Sequence, residues 1–340
     1  MKKLTTLALA LIMTLSLVSC GNGTTPSANS EAPSNSEPST PRVKQQLAMG
    51  TGGTGGAKNV YMGAVAKIVS DNCDGIELIA QASGGSSADL ALMQQNEIQC
   101  SLVEAGPAWE MYTSEGDDAF KELRCVYGGY PSQFVIVTTD TSINDITQLA
   151  GKVVSPGPTG GGTDTSARQV LSLLGIEPAE ITNIQWNDAW TALAEGRIDA
   201  VIGSCGNPTS AILEGQTKGT YHWVRFTEEQ KQTIMDAYPY YVEVKIPDGM
   251  YDNLNGDYET VGSWLCVYAL EEVDEQVIYD VTKAVMENLD TLTLSSGENA
   301  LNTQLDSVLN QSIPIHKGAL KYYQEMGLEI PDELIPEEAR

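Results

Sequence analysis

Met49-Gly50-Thr51-Gly52-Gly53-Thr54-Gly55-Gly56 lies between a short apolar run and an amphipathic helix, and its reading decides the fold. Residues 43–49 predict a strand. From Tyr61 the residues Tyr61, Ala64, Val65, Ile68 and Val69 recur at the spacing of one buried helix face. A glycine-rich turn between the two presents several backbone N–H groups at a helix start, where free donors and the dipole favour an anion or a hydrogen-bonding ligand. Glycines also serve simply to turn a chain tightly. Two further strand, glycine-turn, helix units repeat the pattern. Residues 76–82 run into Ser83-Gly84-Gly85-Ser86, with Ser86-x-x-Asp89 as a capping box. Residues 152–155 run into a loop ending at Thr163, then a helix with Ala167, Val170, Leu171 and Leu174 on one face, stopped by Gly175. Three such loops can converge on one ligand.

The N-terminus reads as an export signal. Lys2 and Lys3 precede an apolar core that is short of the about 20 residues a membrane span needs, and Leu17-Val18-Ser19-Cys20 closes it. These four residues resemble a bacterial lipobox, which implies cleavage after residue 19 and a lipid on Cys20. Residues 20–44 are rich in Ser, Thr, Asn, Pro and Gly and predict a disordered tether. As a flexible coil, that tether reaches roughly 25–30 Å.

The formal charge is −26, and losing Lys2 and Lys3 with the signal makes it −28. That excess of carboxylates opposes binding to nucleic acid or to an anionic lipid surface. Cys73, Cys100, Cys125, Cys205 and Cys266 remain after Cys20, an odd number without Cys-x-x-Cys spacing. They support neither a full disulfide framework nor a zinc site and predict mostly buried thiols, with one bond among Cys73, Cys100 and Cys125 left open.

Strands and helices alternate through residue 210, which predicts an α/β protein of mainly parallel sheets. Short strands are expected at 98–103 and 123–127, then a turn at Gly128-Gly129-Tyr130-Pro131 and a longer strand at 134–138. Asn207 and Pro208 predict the N-cap and first residue of another helix. The apolar runs 134–138 and 264–268 match as the two strands by which the chain leaves a first lobe and returns. The expected division is lobe I, residues 45–137 plus 266–340, and lobe II, residues 138–265. Every glycine loop then lies at strand C-termini, facing one cleft.

Catalytic patterns are weak. Gly50-x-Gly52-x-x-Gly55 matches a dinucleotide fingerprint, yet Glu77 falls at the start of the next strand, where no ribose contact is made. His222 and His316 lie in unrelated segments, and there is no Gly-x-Ser-x-Gly or His-Glu-x-x-His. Cys205 at a turn before a helix is the one candidate nucleophile. No enzyme activity, cofactor or metal is expected. Arg168 is a candidate carboxylate ligand, against a salt bridge with Asp164 one turn before it.

With the glycine loops and the C-terminus in view, residues 47–331 resemble the TAXI family, solute receptors of tripartite ATP-independent periplasmic (TRAP) transporters. The resemblance rests on residues 49–56, Ser83-Gly84-Gly85-Ser86, Leu149-Ala150-Gly151-Lys152-Val153-Val154, Ala194-Glu195-Gly196-Arg197, Ile246-Pro247-Asp248-Gly249-Met250-Tyr251 and Ile315-His316-Lys317-Gly318. It implies a two-lobed type II periplasmic-binding fold that closes on a small carboxylate such as glutamate or 2-oxoglutarate and docks, as a monomer, on a TRAP permease. It also implies a ligand cradle of Thr51, Gly52, Gly53, Thr54, Gly55, Gly56, Ser83, Gly84, Ser86, Gly160, Gly161, Gly162, Thr163 and Asp164, to which the residue reading adds Tyr61 and Asn207. Where the family usually carries a neutral polar residue, this chain has Glu104. A carboxylate there, if it faces the cleft, repels an anion and suits an ammonium group. A ligand sensor for a membrane signalling protein is the alternative on the same fold.

Overall fold

The computed structural model describes residues 45–52, 57–159 and 162–340. The expected signal peptide, Cys20 and the tether lie outside these residues. In chain order the elements are β1 (Gln45–Gly50), α1 (Ala57–Asn72), β2 (Ile76–Gln81), α2 (Ser86–Gln94), β3 (Cys100–Glu104), α3 (Ala105–Thr113) and β4 (Leu123–Thr138). Next come β5 (Val153–Ser155), α4 (Gly162–Leu173), β6 (Glu180–Ile181), α5 (Trp186–Ala194), β7 (Ala200–Cys205), α6 (Ser210–Gln216) and β8 (His222–Trp223). The chain ends with α7 (Glu228–Ala237), β9 (Tyr241–Ile246), β10 (Tyr258–Leu270), α8 (Glu275–Met286), α9 (Leu289–Ser296) and α10 (Lys317–Glu325).

The helical periodicity is borne out. Tyr61, Ala64, Val65, Ile68 and Val69 are all buried on α1, as are Ala167, Val170 and Leu171 on α4, whereas Leu174 lies one residue past the end of α4 and is half-buried. One sheet joins the strands in the order β2-β1-β3-β10-β4-β7-β5-β6, with β9 on β10 and β8 on β4. This is the expected α/β class in the type II arrangement. The sheet is mixed rather than mainly parallel. Pairs β1–β2, β1–β3, β5–β6 and β5–β7 are parallel, whereas β4 and β10 run antiparallel to each other and to β3, β7, β8 and β9. Two long return strands must oppose the strands they cross.

The sequence predicted a turn at Gly128-Gly129-Tyr130-Pro131; the structure continues β4 through it as 16 buried residues, with only a shift of register against β10 at Gly129. These glycines leave room instead of turning. A Cβ on Gly128 would stand 2.3 Å from the Ser307 carbonyl oxygen, and one on Gly129 would stand 2.9 Å from that of Leu265. Ser307 Oγ and Thr303 Oγ1 donate to the Gly128 and Gly129 carbonyls at 2.7 and 2.8 Å. Two other local expectations are also corrected. Ser86 and Asp89 form no capping box, because Gly85 is the N-cap and both side chains bond to distant residues. The helix after β7 starts at Ser210 rather than Pro208, because Asn207 accepts from the Tyr251 hydroxyl at 2.6 Å and donates to the Cys205 carbonyl at 3.0 Å.

One core cluster is drawn from residues 47–130 and 265–334. The other two lie on opposite faces of the second half of β4: Phe134 and Ile136 in one, Val135 and Val137 in the other, as strand alternation requires. All five described cysteines are free thiols, and four of them are buried.

Gly128→Ala is expected to destabilise the chain by about 2–3 kcal/mol, since the buried Ser307 backbone cannot yield cheaply. Gly63→Ala on α1, where nothing lies within 4 Å of the new methyl, is the control and should be neutral or stabilising. Denaturant midpoints compare the two.

Candidate functional site

The ends of β1, β2 and β3 meet beside the start of α4, and hydrogen bonds clip the loops together. Thr51, 1% exposed, donates from its backbone to the Gln81 carbonyl at 2.9 Å and accepts from Asn59 Nδ2 at 3.0 Å. The Gly52 N–H donates to Ser83 Oγ at 2.9 Å, and the Ser83 N–H returns to the Gly52 carbonyl at 3.1 Å. Gly84 continues the turn to Gly85, whose φ of +107° suits glycine. Ser86 Oγ accepts from the Glu104 N–H at 3.2 Å, tying the start of α2 to the end of β3. Gly53, Thr54, Gly55, Gly56, Gly160 and Gly161 lie outside the described residues.

Glu104 is the centre of this arrangement. Its backbone closes β3, and its carboxyl reaches the first residue of α4, where a Cβ on Gly162 would be 2.8 Å from Oε2. The strand register puts Glu104 on one sheet face with Tyr130, Ser132, Ser204, Ser263 and Tyr241. All are buried. Ser132 and Ser204 share a hydrogen bond of 2.9 Å between their hydroxyls, and Thr163 Oγ1 donates to the Ser204 carbonyl at 3.2 Å. Ser263 Oγ has no partner among the described residues. Burial raises the Glu104 carboxyl from an ordinary 4.5 to about 7, against the opposing pulls of the Ser132 hydroxyl and the Lys58 ammonium.

Lys58 and Asp89 form the second feature. Lys58 Nζ, on the first turn of α1, pairs with Asp89 Oδ2 on α2, and Ser101 Oγ donates to the same oxygen at 2.6 Å. Asp89 is fully buried and its Oδ1 has no partner among the described residues. Gly50 must be glycine here, because a Cβ would fall 2.7 Å from the carboxylate. Burial lowers the Lys58 pKa, while Asp89 and Glu104 act to raise it.

The remaining predicted residues are held in frameworks. The Tyr61 hydroxyl bonds to Thr303 Oγ1 at 2.8 Å, and its ring meets Tyr130 edge-on at 5.4 Å. Asp164 accepts from Arg168 Nε at 2.8 Å and from Asn183 Nδ2 at 3.0 Å, and Asn183 also donates to the Gly157 carbonyl at 2.8 Å. This salt bridge is the second of the two readings of Arg168. Burial pushes the Cys205 thiol up to about 12. Cys205 pairs with Gln133 and His222 with Thr138, five residues along β4 and on its opposite edges, so roughly 19 Å separates them. His316, pushed down to about 4 by burial, caps α10 by accepting from the Gly318 N–H at 3.1 Å.

Sequence reading missed Lys58, Asp89, Ser132, Ser204, Ser263 and Tyr241 as members of the site. Ser132 and Ser263 carried a signal, as polar residues beside strongly apolar strand runs. Lys58 follows the first glycine loop directly.

A model of the NMT1-like family matches residues 49–327. No curated protein matches the chain. Among solved structures, it is similar to a protein from a study of glutathione import through the cystine importer of Streptococcus mutans. That protein is 13% identical, with 82% of this chain and 100% of that one covered and a TM-score of 0.49. It is also similar to an ancestral arginine-binding protein bound to glutamine, at 14% identity, 74% and 98% coverage and a TM-score of 0.45. The ligand-binding core of GluR0 from Nostoc punctiforme, in complex with L-glutamate, is 14% identical, with 73% and 96% covered and a TM-score of 0.46.

Because the folded chain keeps the Glu104 proton to about pH 7 and the unfolded chain releases it near 4.5, this group's contribution to stability falls as pH rises through that window. The fall is at most ~3 kcal/mol. Glu104→Gln removes it, so the variant should match the wild type near pH 4.5 and exceed it at pH 8, as read from denaturation midpoints at each pH.

Proposed function

The chain belongs to the NMT1-like family, and we propose that it is an extracytoplasmic receptor delivering a small carboxylate-bearing solute to a membrane transporter. The observation that carries this reading is the reach of Glu104 from the end of β3 to the first residue of α4, amid buried hydroxyls between separately packed cores. Those cores, joined by β4 and β10, support two lobes, residues 45–137 plus 266–340 and residues 138–265. The solute sits between them. Helix starts and loop N–H groups hold its carboxylate, and closure strengthens each hydrogen bond as water leaves.

The resemblance of the glycine loops to TAXI receptors makes a TRAP permease the proposed partner. The lipobox at Cys20 makes a lipid the proposed anchor on the outer face of the membrane. Among the described residues no helix is long and apolar enough to cross a membrane. Of the cradle, Thr51, Gly52, Ser83, Ser86, Gly162 and Thr163 are the described members proposed to contact or shape the ligand.

Native mass spectrometry of the purified chain, before and after unfolding and dialysis, tests the reading. A retained small mass is expected that unfolding removes, with a smaller radius in X-ray scattering when the solute is restored. A chain that carries no mass and does not compact with any small carboxylate sinks the proposal.

A further inference from the structure

The receptor reading leaves open what charge the solute carries, and the side chains around Glu104 bear on it. Among the described residues Lys58 is the one cation that acts on the Glu104 carboxyl, and it is committed to Asp89. Asp89 lies wholly inside the protein and is held by Ser101 Oγ at 2.6 Å, so the pair is part of the scaffold. Breaking such a buried pair strands a charge and is strongly unfavourable. Among the described residues the other groups facing Glu104 are neutral: Tyr130 and Ser132 from β4, Cys205 from β7, Tyr241 from β9 and the Gly162 backbone of α4. Asp164, further along α4, is neutralised by Arg168.

The local charge is therefore zero or minus one. Helix starts contribute about half a positive charge each, enough to hold one carboxylate. A second carboxylate would meet Glu104 with no free cation beside it among the described residues. An ammonium group is the complementary partner, because it donates to the carboxylate and to hydroxyl oxygens alike. Ser263 Oγ, 3% exposed and on the Glu104 face of the sheet, has no partner among the described residues. That hydroxyl oxygen can accept from a bound ammonium group.

We infer that Glu104 receives an ammonium group of the solute while Asp89 withholds Lys58 from it, so that the receptor takes amino acids and refuses plain dicarboxylates. Glu104, Lys58 and Asp89 together set this specificity. The inference rests on the receptor reading and narrows it.

The test uses the ligand-stripped full chain at pH 8, where Glu104 is ionised, in thermal unfolding with two probes. One is an equimolar mixture of the common L-amino acids; the other is succinate, glutarate and 2-oxoglutarate. Only the amino-acid mixture should raise the midpoint of the wild type. With the single amino acid responsible, Glu104→Gln should lose about ten- to hundredfold in affinity, while Glu104→Asp, which keeps the charge, loses less than tenfold. A merely structural role for Glu104 would lower the ligand-free midpoint of Glu104→Gln and leave affinity intact, which would overturn the inference. Stabilisation of the wild type by the dicarboxylates would also overturn it. So would a response to neither mixture, but a bound mass in native spectra would then keep the receptor reading alive.

Discussion

The antiparallel crossing of β4 and β10 is the constraint from which the rest of the structure follows. Their pairing runs from Gly262 opposite Gln133 to Leu270 opposite Leu123. Every residue of β4 is buried, so each of its backbone groups must find a partner inside the protein. β10 supplies one edge, and β7 supplies the other along the second half. Because β3 pairs with β10 and β7 with β4, the register of this one crossing sets where the C-terminal ends of both strands stop. Glu104 and Cys205 are the last residues of those two strands. The meeting of β3, β7 and α4 is thus a consequence of strand pairing, before any ligand is considered.

The crossing also explains the position of the glycines. Residues 303 and 307 lie directly on Gly128 and Gly129 and bond to their carbonyls through hydroxyls. A side chain at Gly128 would push this segment off the sheet, and one at Gly129 would strike Leu102 and the Leu265 carbonyl. The cost of close approach is met by removing Cβ, and the result is a strand that continues where local sequence signals a turn.

Charge is managed differently inside and outside. The chain carries 45 acidic residues against 19 Lys and Arg, so most carboxylates have no cation to pair with and must stay in water. Those taken inside are treated singly. Asp89 and Asp164 are each given a cation, while Glu104 is set among hydroxyls and drifts toward its neutral form. Burying an ionised carboxylate without a partner is too unfavourable to persist, and a raised pKa is how the protein avoids it. That leaves the one uncompensated buried acid of this group at the junction of the strand ends and α4.

Periodicity made the inward faces of α1 and α4 legible in the sequence, because a buried stripe at 3.6 residues per turn is a local property. The glycine loops and the α/β class were legible for the same reason. The capping role of Ser86 and Asp89, the helix start at Asn207 and the turn at Gly128 were not. In each case a group that satisfied a local rule was taken by a partner far away in the chain: Glu104 and Ser101 for the first, Tyr251 for the second, Ser307 for the third. The sequence by itself determined which residues turn inward, where the loops fall and that Glu104 is an unexpected acid. Only the tertiary structure decided that Lys58 is already spent on Asp89 and that six polar residues share one sheet face. Side-chain burial patterns follow from neighbours along the chain, whereas electrostatic pairing depends on distances that strand register alone creates.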